Sequence, residues 1–278
     1  FKDMSQARHS GKIVLIPPSM LDPEGAVVIT GGTGMLGAVF AQHLITGYGV
    51  GHVVLVSRRG LAAQGAGQLQ QRLSGLGARV EVVACDVSDR AQVAELVEQV
   101  SARCRLSAVI HAAGVLDDGV LSELSGAQLE AVLAAKADAA WYLHELTAAA
   151  GLDAFVLFSS VAGVLGSAGQ ANYAAANGFL DALAYQRHRC GLPATSVAWG
   201  YWQTPSGMTA HLDAGDQARI SASGLAAISI EAGLGLFDAA LSGGQPMVVA
   251  APVSASVLAA QARQNRLPAI LSGLMRAR

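Results

Sequence analysis

The chain has 278 residues, 52% of them hydrophobic and only 14% charged, with a net charge of −2. Such a composition can bury a large core, which excludes whole-chain disorder. No block of Lys and Arg stands out, which argues against nucleic acid or an anionic membrane surface as partner. Three cysteines (Cys85, Cys104 and Cys190), none in CxxC spacing, make neither a disulfide framework nor a zinc site. A reducing, cytoplasmic setting without a metal is therefore expected. The mean hydropathy is +0.41, and residues 26–57 carry no charge. Glycines at 31, 32, 34, 37, 47, 49 and 51 interrupt that stretch, so the chain is expected to be soluble rather than membrane-spanning.

In chain order, residues 1–22 contain a Pro-Pro pair and read as a lead-in or the tail of a neighbouring domain. Short apolar runs at 26–30, 53–57, 80–85, 108–111, 155–159, 195–199 and 247–250 read as strands. They are β-branched and continuously apolar, as strands covered on both faces should be. Segments 61–76, 90–102, 125–150 and 170–190 between them are long enough for crossover helices. Alternating strands and helices predict right-handed βαβ units and a doubly wound, seven-stranded, Rossmann-type parallel α/β sheet. Residues 204–228 are too long for an ordinary loop and suggest a helical lid. Residues 23–253 hold every candidate strand and would form one domain, with 254–278 as a C-terminal linker.

The first strand runs into Thr30-Gly31-Gly32-Thr33-Gly34-Met35-Leu36-Gly37. Small residues there let the backbone turn tightly and approach a pyrophosphate at a helix N-terminus. A glycine-rich turn without a ligand is the alternative, but strand, loop and helix in this order favour a dinucleotide. An NAD site usually places an acid about 20 residues further on. Here none occurs between Glu24 and Glu81, and the second strand ends Ser57-Arg58-Arg59. Guanidinium groups attract a 2′-phosphate, so NADPH is expected, a solvated arginine pair being the alternative. Asp86 could accept from the adenine amino group or cap the next helix.

Ser160 ends the fifth strand, and Tyr173 and Asn177 share a helical face at i,i+4 spacing. A buried tyrosine can protonate a carbonyl oxygen as hydride reaches its carbon, while a serine hydroxyl holds that oxygen. The phenol needs a nearby ammonium, for which Lys136 in the low-charge segment 129–145 is the candidate; a surface lysine is the alternative. All seven histidines lack metal-ligand spacing and read as satisfied or exposed.

TGGTGMLG, SRRG, CDVSD, HAAGVLDD, Lys136 and SSVAGVLGSAGQANYAAAN together resemble the ketoreductase domains of modular polyketide synthases, within the short-chain dehydrogenase/reductase superfamily. The resemblance spans about residues 24–253. Ordinary short-chain dehydrogenases carry Tyr-x-x-x-Lys, whereas this chain has Tyr173-x-x-x-Asn177 with the lysine on the preceding long helix. The resemblance implies a tetrad of Lys136, Ser160, Tyr173 and Asn177. It places Arg58 at the 2′-phosphate, Asp86 and Val87 at the adenine, and Ala112, Ala113 and Gly114 at the middle of the cofactor. Leu116-Asp117-Asp118 resembles the B-type signature, which implies a D-configured β-hydroxyl. The A-type tryptophan is replaced by Leu165, and Ala175 stands where epimerising B-type domains have proline. Gln170, Trp202 and Met208 complete the expected substrate and stereocontrol set, with Trp202 equally readable as core.

The first fifteen residues resemble the tail of an enoyl reductase domain. The implied partners are thus an acyl carrier protein bearing a phosphopantetheine-linked β-ketoacyl chain, an adjoining enoyl reductase, and a structural half of the ketoreductase. A stand-alone short-chain dehydrogenase for small ketones and a non-catalytic dinucleotide-binding scaffold are the other readings.

Overall fold

The computed structural model describes residues 21–204 and 224–275. Seven strands form one parallel sheet: β1 (Ala26–Thr30), β2 (His52–Ser57), β3 (Arg79–Ala84), β4 (Leu106–His111), β5 (Ala154–Ser160), β6 (Thr195–Trp199) and β7 (Met247–Ala250). Their order is β3-β2-β1-β4-β5-β6-β7, the doubly wound arrangement expected from the sequence. The chain reverses its direction of travel across the sheet between β1 and β4, which opens a crevice beyond their carboxyl ends.

Each apolar run becomes a strand because helices cover both sheet faces. On one face lie α1 (Met35–Tyr48), α2 (Ala66–Ser74) and α8 (Ile230–Ser242). Val27, Ile29, Val53, Leu55 and Val197 meet Phe40 and Phe237 there. Asp238 of α8 ties this layer by accepting from Tyr48 Oη at 2.8 Å and pairing with His43 Nε2 at 2.7 Å. On the other face lie α3 (Arg90–Ser101), α5 (Ala139–Thr147) and α7 (Ala171–Arg189), over Val28, Val54, Val109, Phe155 and Leu157, with α4 (Gly126–Leu133) packed against α7. A short α6 (Ala162–Leu165) follows β5. Among the described residues no helix is long and apolar enough to cross a membrane.

The structure differs from the sequence reading in three places. Residues 125–150 are not one α-helix: a π-helical turn, Ala134–Asp138, separates α4 from α5. Residues 61–76 open with a 3₁₀ turn at Gly60–Ala62. The expected C-terminal linker contains α9 (Ala255–Arg263) and a 3₁₀ segment, Ala269–Met275. That helix docks because Leu258 is buried and Ser254 N–H donates to the Gly224 carbonyl at 2.8 Å. Of the expected lid, 205–223 lie outside the described residues, as do 1–20 of the lead-in.

Trp202 corrects a site expectation. It is 5% exposed and belongs to the aromatic core with Phe40 and Trp199, at ring separations of 6.0 and 5.0 Å. Its ring lies against Gly233 of α8, where a Cβ would land inside the indole. The core reading holds for Trp202 and the substrate-lining one does not. Overpacking of this kind costs about 1–3 kcal/mol. Gly233→Ala is therefore expected to lower the unfolding free energy extrapolated from urea titration by that amount, and an unchanged free energy would contradict this account of the core.

Candidate functional site

The crevice between β1 and β4 is lined first by the glycine turn. Gly31 has φ +65°, and a Cβ there would sit 2.8 Å from the Ala112 carbonyl oxygen. A Cβ on Gly37 would meet the Gly31 oxygen at 2.5 Å. These close approaches draw Gly31, Gly32, Thr33, Gly34, Met35 and Leu36 tight between β1 and α1, beside the loop of Ala112, Ala113 and Gly114. The N-terminus of α1 has no side-chain cap and no acid in its first turn, which suits it to an anion.

The end of β2 adds the next elements. Ser57 Oγ is buried without a hydrogen-bond partner, and Arg58 and Arg59 beside it are exposed. A buried orphan hydroxyl next to two open guanidinium groups fits a phosphorylated ribose. Asp86 is not a helix cap: Asp89 caps α3, accepting from Ala91 N and Gln92 N. Asp86 Oδ1 instead accepts from Ser88 N at 3.0 Å and Ser88 Oγ at 2.6 Å, and Val87 beside it is buried.

Lys136 is no surface lysine. It is 2% exposed and donates from Nζ to the Phe158 carbonyl at 2.8 Å. The π turn carries it inward, a deformation that recurs at functional sites. Its stem lies along Gly114, where a Cβ would meet Cε at 3.2 Å. Nζ stands 5.3 Å from the centroid of the Tyr173 ring. Burial pulls the Lys136 ammonium down to about 8, with the charge of Asp181 acting the other way.

Tyr173 and Asn177 lie one turn apart on α7. Asn177 is fully buried, donating from Nδ2 to the Tyr173 carbonyl at 2.7 Å, while its Oδ1 has no partner. Burial pushes the Tyr173 phenol above its ordinary range; hydrogen bonding with Asn177 and Ser160 opposes this, and the Asp118 charge reinforces it. Ser160 ends β5, its Oγ accepting from Ala162 N at 3.2 Å. The structure thus brings Lys136, Ser160, Tyr173 and Asn177 together at one end of the sheet.

Leu116-Asp117-Asp118 is not a free acidic turn. Asp117 Oδ1 accepts from Gln128 Nε2 at 3.0 Å, and the Asp117 carbonyl accepts from Asn172 Nδ2 at 2.8 Å. Asp118 Oδ2 accepts from Gln170 Nε2 at 2.9 Å, and Gly119 N–H donates to the Gly169 carbonyl at 2.8 Å. These bonds fasten the turn to the segment that leads into Tyr173. Met208, the remaining expected substrate residue, lies outside the described residues.

His111 is the satisfied histidine that the sequence reading expects, but what it joins was not legible. It is fully buried, with Nε2 3.1 Å from the Lys136 carbonyl and Nδ1 2.7 Å from Thr30 Oγ1. A carbonyl only accepts, so Nε2 carries the proton and Nδ1 accepts from the threonine hydroxyl. Thr30 Oγ1 in turn accepts from Ala113 N at 3.2 Å. Burial holds the His111 imidazole down at about 3, so it stays neutral. One chain of bonds thereby joins β1, the 112–114 loop and the π turn. A lone histidine after an apolar strand gives no sequence signal of this.

The KR domain model matches residues 25–204. The chain belongs to the ketoreductase domains of modular polyketide synthases. Over 99% of its length it is 55% identical to polyketide synthase GfsB of Streptomyces halstedii and 49% identical to pikromycin synthase component PikAII of Streptomyces venezuelae. It spans only 5% and 7% of those proteins. A solved A-type ketoreductase of a modular polyketide synthase superposes with a TM-score of 0.84 at 42% identity, covering 97% of this chain and 56% of that one. The first ketoreductase of the tylosin synthase gives 0.76 at 44% identity, covering 84% and 50%. Ketoreductase domains of this kind are reductases of the short-chain dehydrogenase type that use a nicotinamide dinucleotide.

Lys136 makes a stability prediction. An ammonium whose folded value is about 8 against an ordinary 10.5 binds fewer protons folded than unfolded between those pH values, so its contribution to stability rises with pH there. Relative to Lys136→Met, the protein should gain on the order of 3 kcal/mol from pH 7.5 to 10.5 in urea unfolding. A constant difference would contradict the buried charge.

Proposed function

We propose that this ketoreductase domain reduces a β-ketoacyl thioester, carried on the phosphopantetheine arm of an acyl carrier protein, to the D-β-hydroxyacyl thioester during polyketide chain extension, with NADPH as reductant. The observation that carries the reading is the buried Lys136 ammonium beneath the Tyr173 ring, with Asn177 one turn along α7. Kinship alone does not establish turnover, since Pks1 of Mycobacterium tuberculosis, 52% identical over 99% of this chain, is named a putative inactive phenolphthiocerol synthesis polyketide synthase. Here all four tetrad positions are filled and converge.

When bound, the cofactor supplies hydride to the β-carbon. The Ser160 hydroxyl holds the ketone oxygen, and the Tyr173 phenol delivers the proton to it. The Lys136 charge favours the phenolate left behind, and the Asn177 Oδ1 orphan offers an acceptor for a hydroxyl or water in the relay. Arg58, with Arg59 and Ser57, receives the 2′-phosphate; Asp86 and Val87 border the adenine. The glycine turn seats the pyrophosphate, and Ala112, Ala113 and Gly114 line the middle of the cofactor.

The Leu116-Asp117-Asp118 turn, fastened through Gln170 and Asn172, borders the substrate and biases the face exposed to hydride, which supports the D outcome. Carrier protein, enoyl reductase and structural half as neighbours fit relatives that are large synthases. Residues 1–22 would then belong to the enoyl reductase side and 254–278 would lead toward the carrier.

A short β-ketoacyl pantetheine thioester tests the reading. Tyr173→Phe should lower kcat about 10²- to 10⁴-fold, and chiral chromatography should find the D-alcohol. An active Tyr173→Phe variant would contradict the proton-donor role, and an L-alcohol would contradict the stereochemical one. Arg58→Ala should raise the KM for NADPH about 10- to 100-fold while leaving that for NADH nearly unchanged. Equal effects on both would contradict the 2′-phosphate contact.

A further inference from the structure

At the opposite end of the sheet, three side chains meet that the reductase site does not use. His52 opens β2 and pairs in register with Arg79 of β3, which brings Glu81, two residues on and on the same face, beside its ring. His52 is buried, with Nε2 2.9 Å from Glu81 Oε1 and Nδ1 3.3 Å from Cys104 Sγ. Cys104 follows the C-terminus of α3 and is half-buried. The carboxylate accepts only, so the proton sits on Nε2 and the Nδ1 lone pair faces the thiol. A nucleophile, a base and a group that orients the base thus stand in hydrogen-bonding order.

The surroundings favour an anion. Glu81 also pairs with Arg79 Nη2 and Arg103 Nη1, both at 2.8 Å, and both arginines reach solvent. Burial acts to raise the Glu81 carboxyl, but the His52 hydrogen bond and the charges of Arg103 and Arg79 hold it below its usual range. It therefore stays ionised to orient His52, while the arginine rim leaves cationic surface beside the sulfur.

We propose that Cys104 is a reversible thiolation site, activated by His52, that takes small anionic disulfides. The Cys104 proton moves to His52 Nδ1, and Sγ attacks one sulfur of the disulfide. A new S–S bond forms to Cys104 as the old one breaks. The departing half leaves as a thiolate and takes up a proton from His52 or solvent. Cys104 is oxidised and the added disulfide reduced, so electrons balance. This does not rest on the proposed reductase activity.

The other two thiols are internal references. Cys85 is buried, which pushes its thiol up to about 11, and Cys190 is exposed with Gln186 as its hydrogen-bond neighbour. The Cys190→Ser chain reports Cys104, and the Cys104→Ser chain reports Cys190. With dithiobis(nitrobenzoate) at neutral pH, Cys104 should react about fivefold or more faster than Cys190. Mass spectrometry should place the adduct on Cys104, and dithiothreitol should remove it.

In the Cys190→Ser background, His52→Gln should bring the rate down to that of Cys190 with the circular dichroism spectrum retained. If that variant does not fold, Glu81→Gln should slow the reaction in the same direction. Neutral hydroxyethyl disulfide should show a smaller advantage of Cys104 over Cys190 than the anionic reagent. A Cys104 rate no greater than that of Cys190, or one untouched by both substitutions in folded protein, would overturn the proposal. An equal advantage with the neutral reagent would overturn its preference for anions.

Discussion

Keeping an ammonium out of water is the constraint around which the candidate site is built. A buried charge is costly, and among the described residues no carboxylate is bonded to Lys136: its ammonium meets the Phe158 carbonyl and the face of Tyr173, with the Asp181 charge acting from further off. The fold tolerates this because each neighbour is itself fixed. Phe158 lies within β5, flanked in the sheet by β4 and β6. The Lys136 carbonyl is held by a neutral His111, and His111 is held by Thr30 at the end of β1. The π turn follows from these bonds, since an uninterrupted α-helix would change the register that turns Lys136 toward the strands.

The same bonds link the two halves of the crevice. Thr30 precedes the glycine turn and also accepts from Ala113 N, so the backbone near the proposed cofactor path and the backbone carrying Lys136 share one support. Gly114 is small because the lysine stem runs past it. On the far side, Gln128, Gln170 and Asn172 clamp the Asp117-Asp118 turn onto the approach to Tyr173. Cofactor loop, lysine and tyrosine are thus positioned by rigid elements of the sheet and by a few buried polar groups whose partners are accounted for.

Much of this was legible in the sequence, for local reasons. Short, continuously apolar, β-branched runs such as AVVIT, spaced by helix-length segments, read as strands covered on both faces, so the sheet followed from them. Tyr173 and Asn177 were readable because i,i+4 spacing on a helix is a local property. Whatever tertiary bonds decide was not readable. Nothing in Ala134–Asp138 announces a π turn, because its cause lies in Phe158 and His111. Trp202 could be read as substrate-facing until Gly233 was seen to leave room for its ring in the core. Residues 255–263 read as linker because their small-residue pattern is weak; the burial of Leu258 explains the helix. His52 and Cys104, far apart in the chain, meet only because β2 pairs with β3 and α3 ends beside them.

The central claim is that the Lys136 charge favours the ionised form of the Tyr173 phenol across the short gap between Nζ and the ring. The most direct test is the pH profile of kcat for reduction of a short β-ketoacyl pantetheine thioester in the parent chain and in Lys136→Met. The account predicts that the parent loses activity as pH rises through about 8, where the ammonium gives up its proton, and that the variant is slower at pH 7 and lacks this limb. A folded Lys136→Met variant as active as the parent at pH 7 would contradict it.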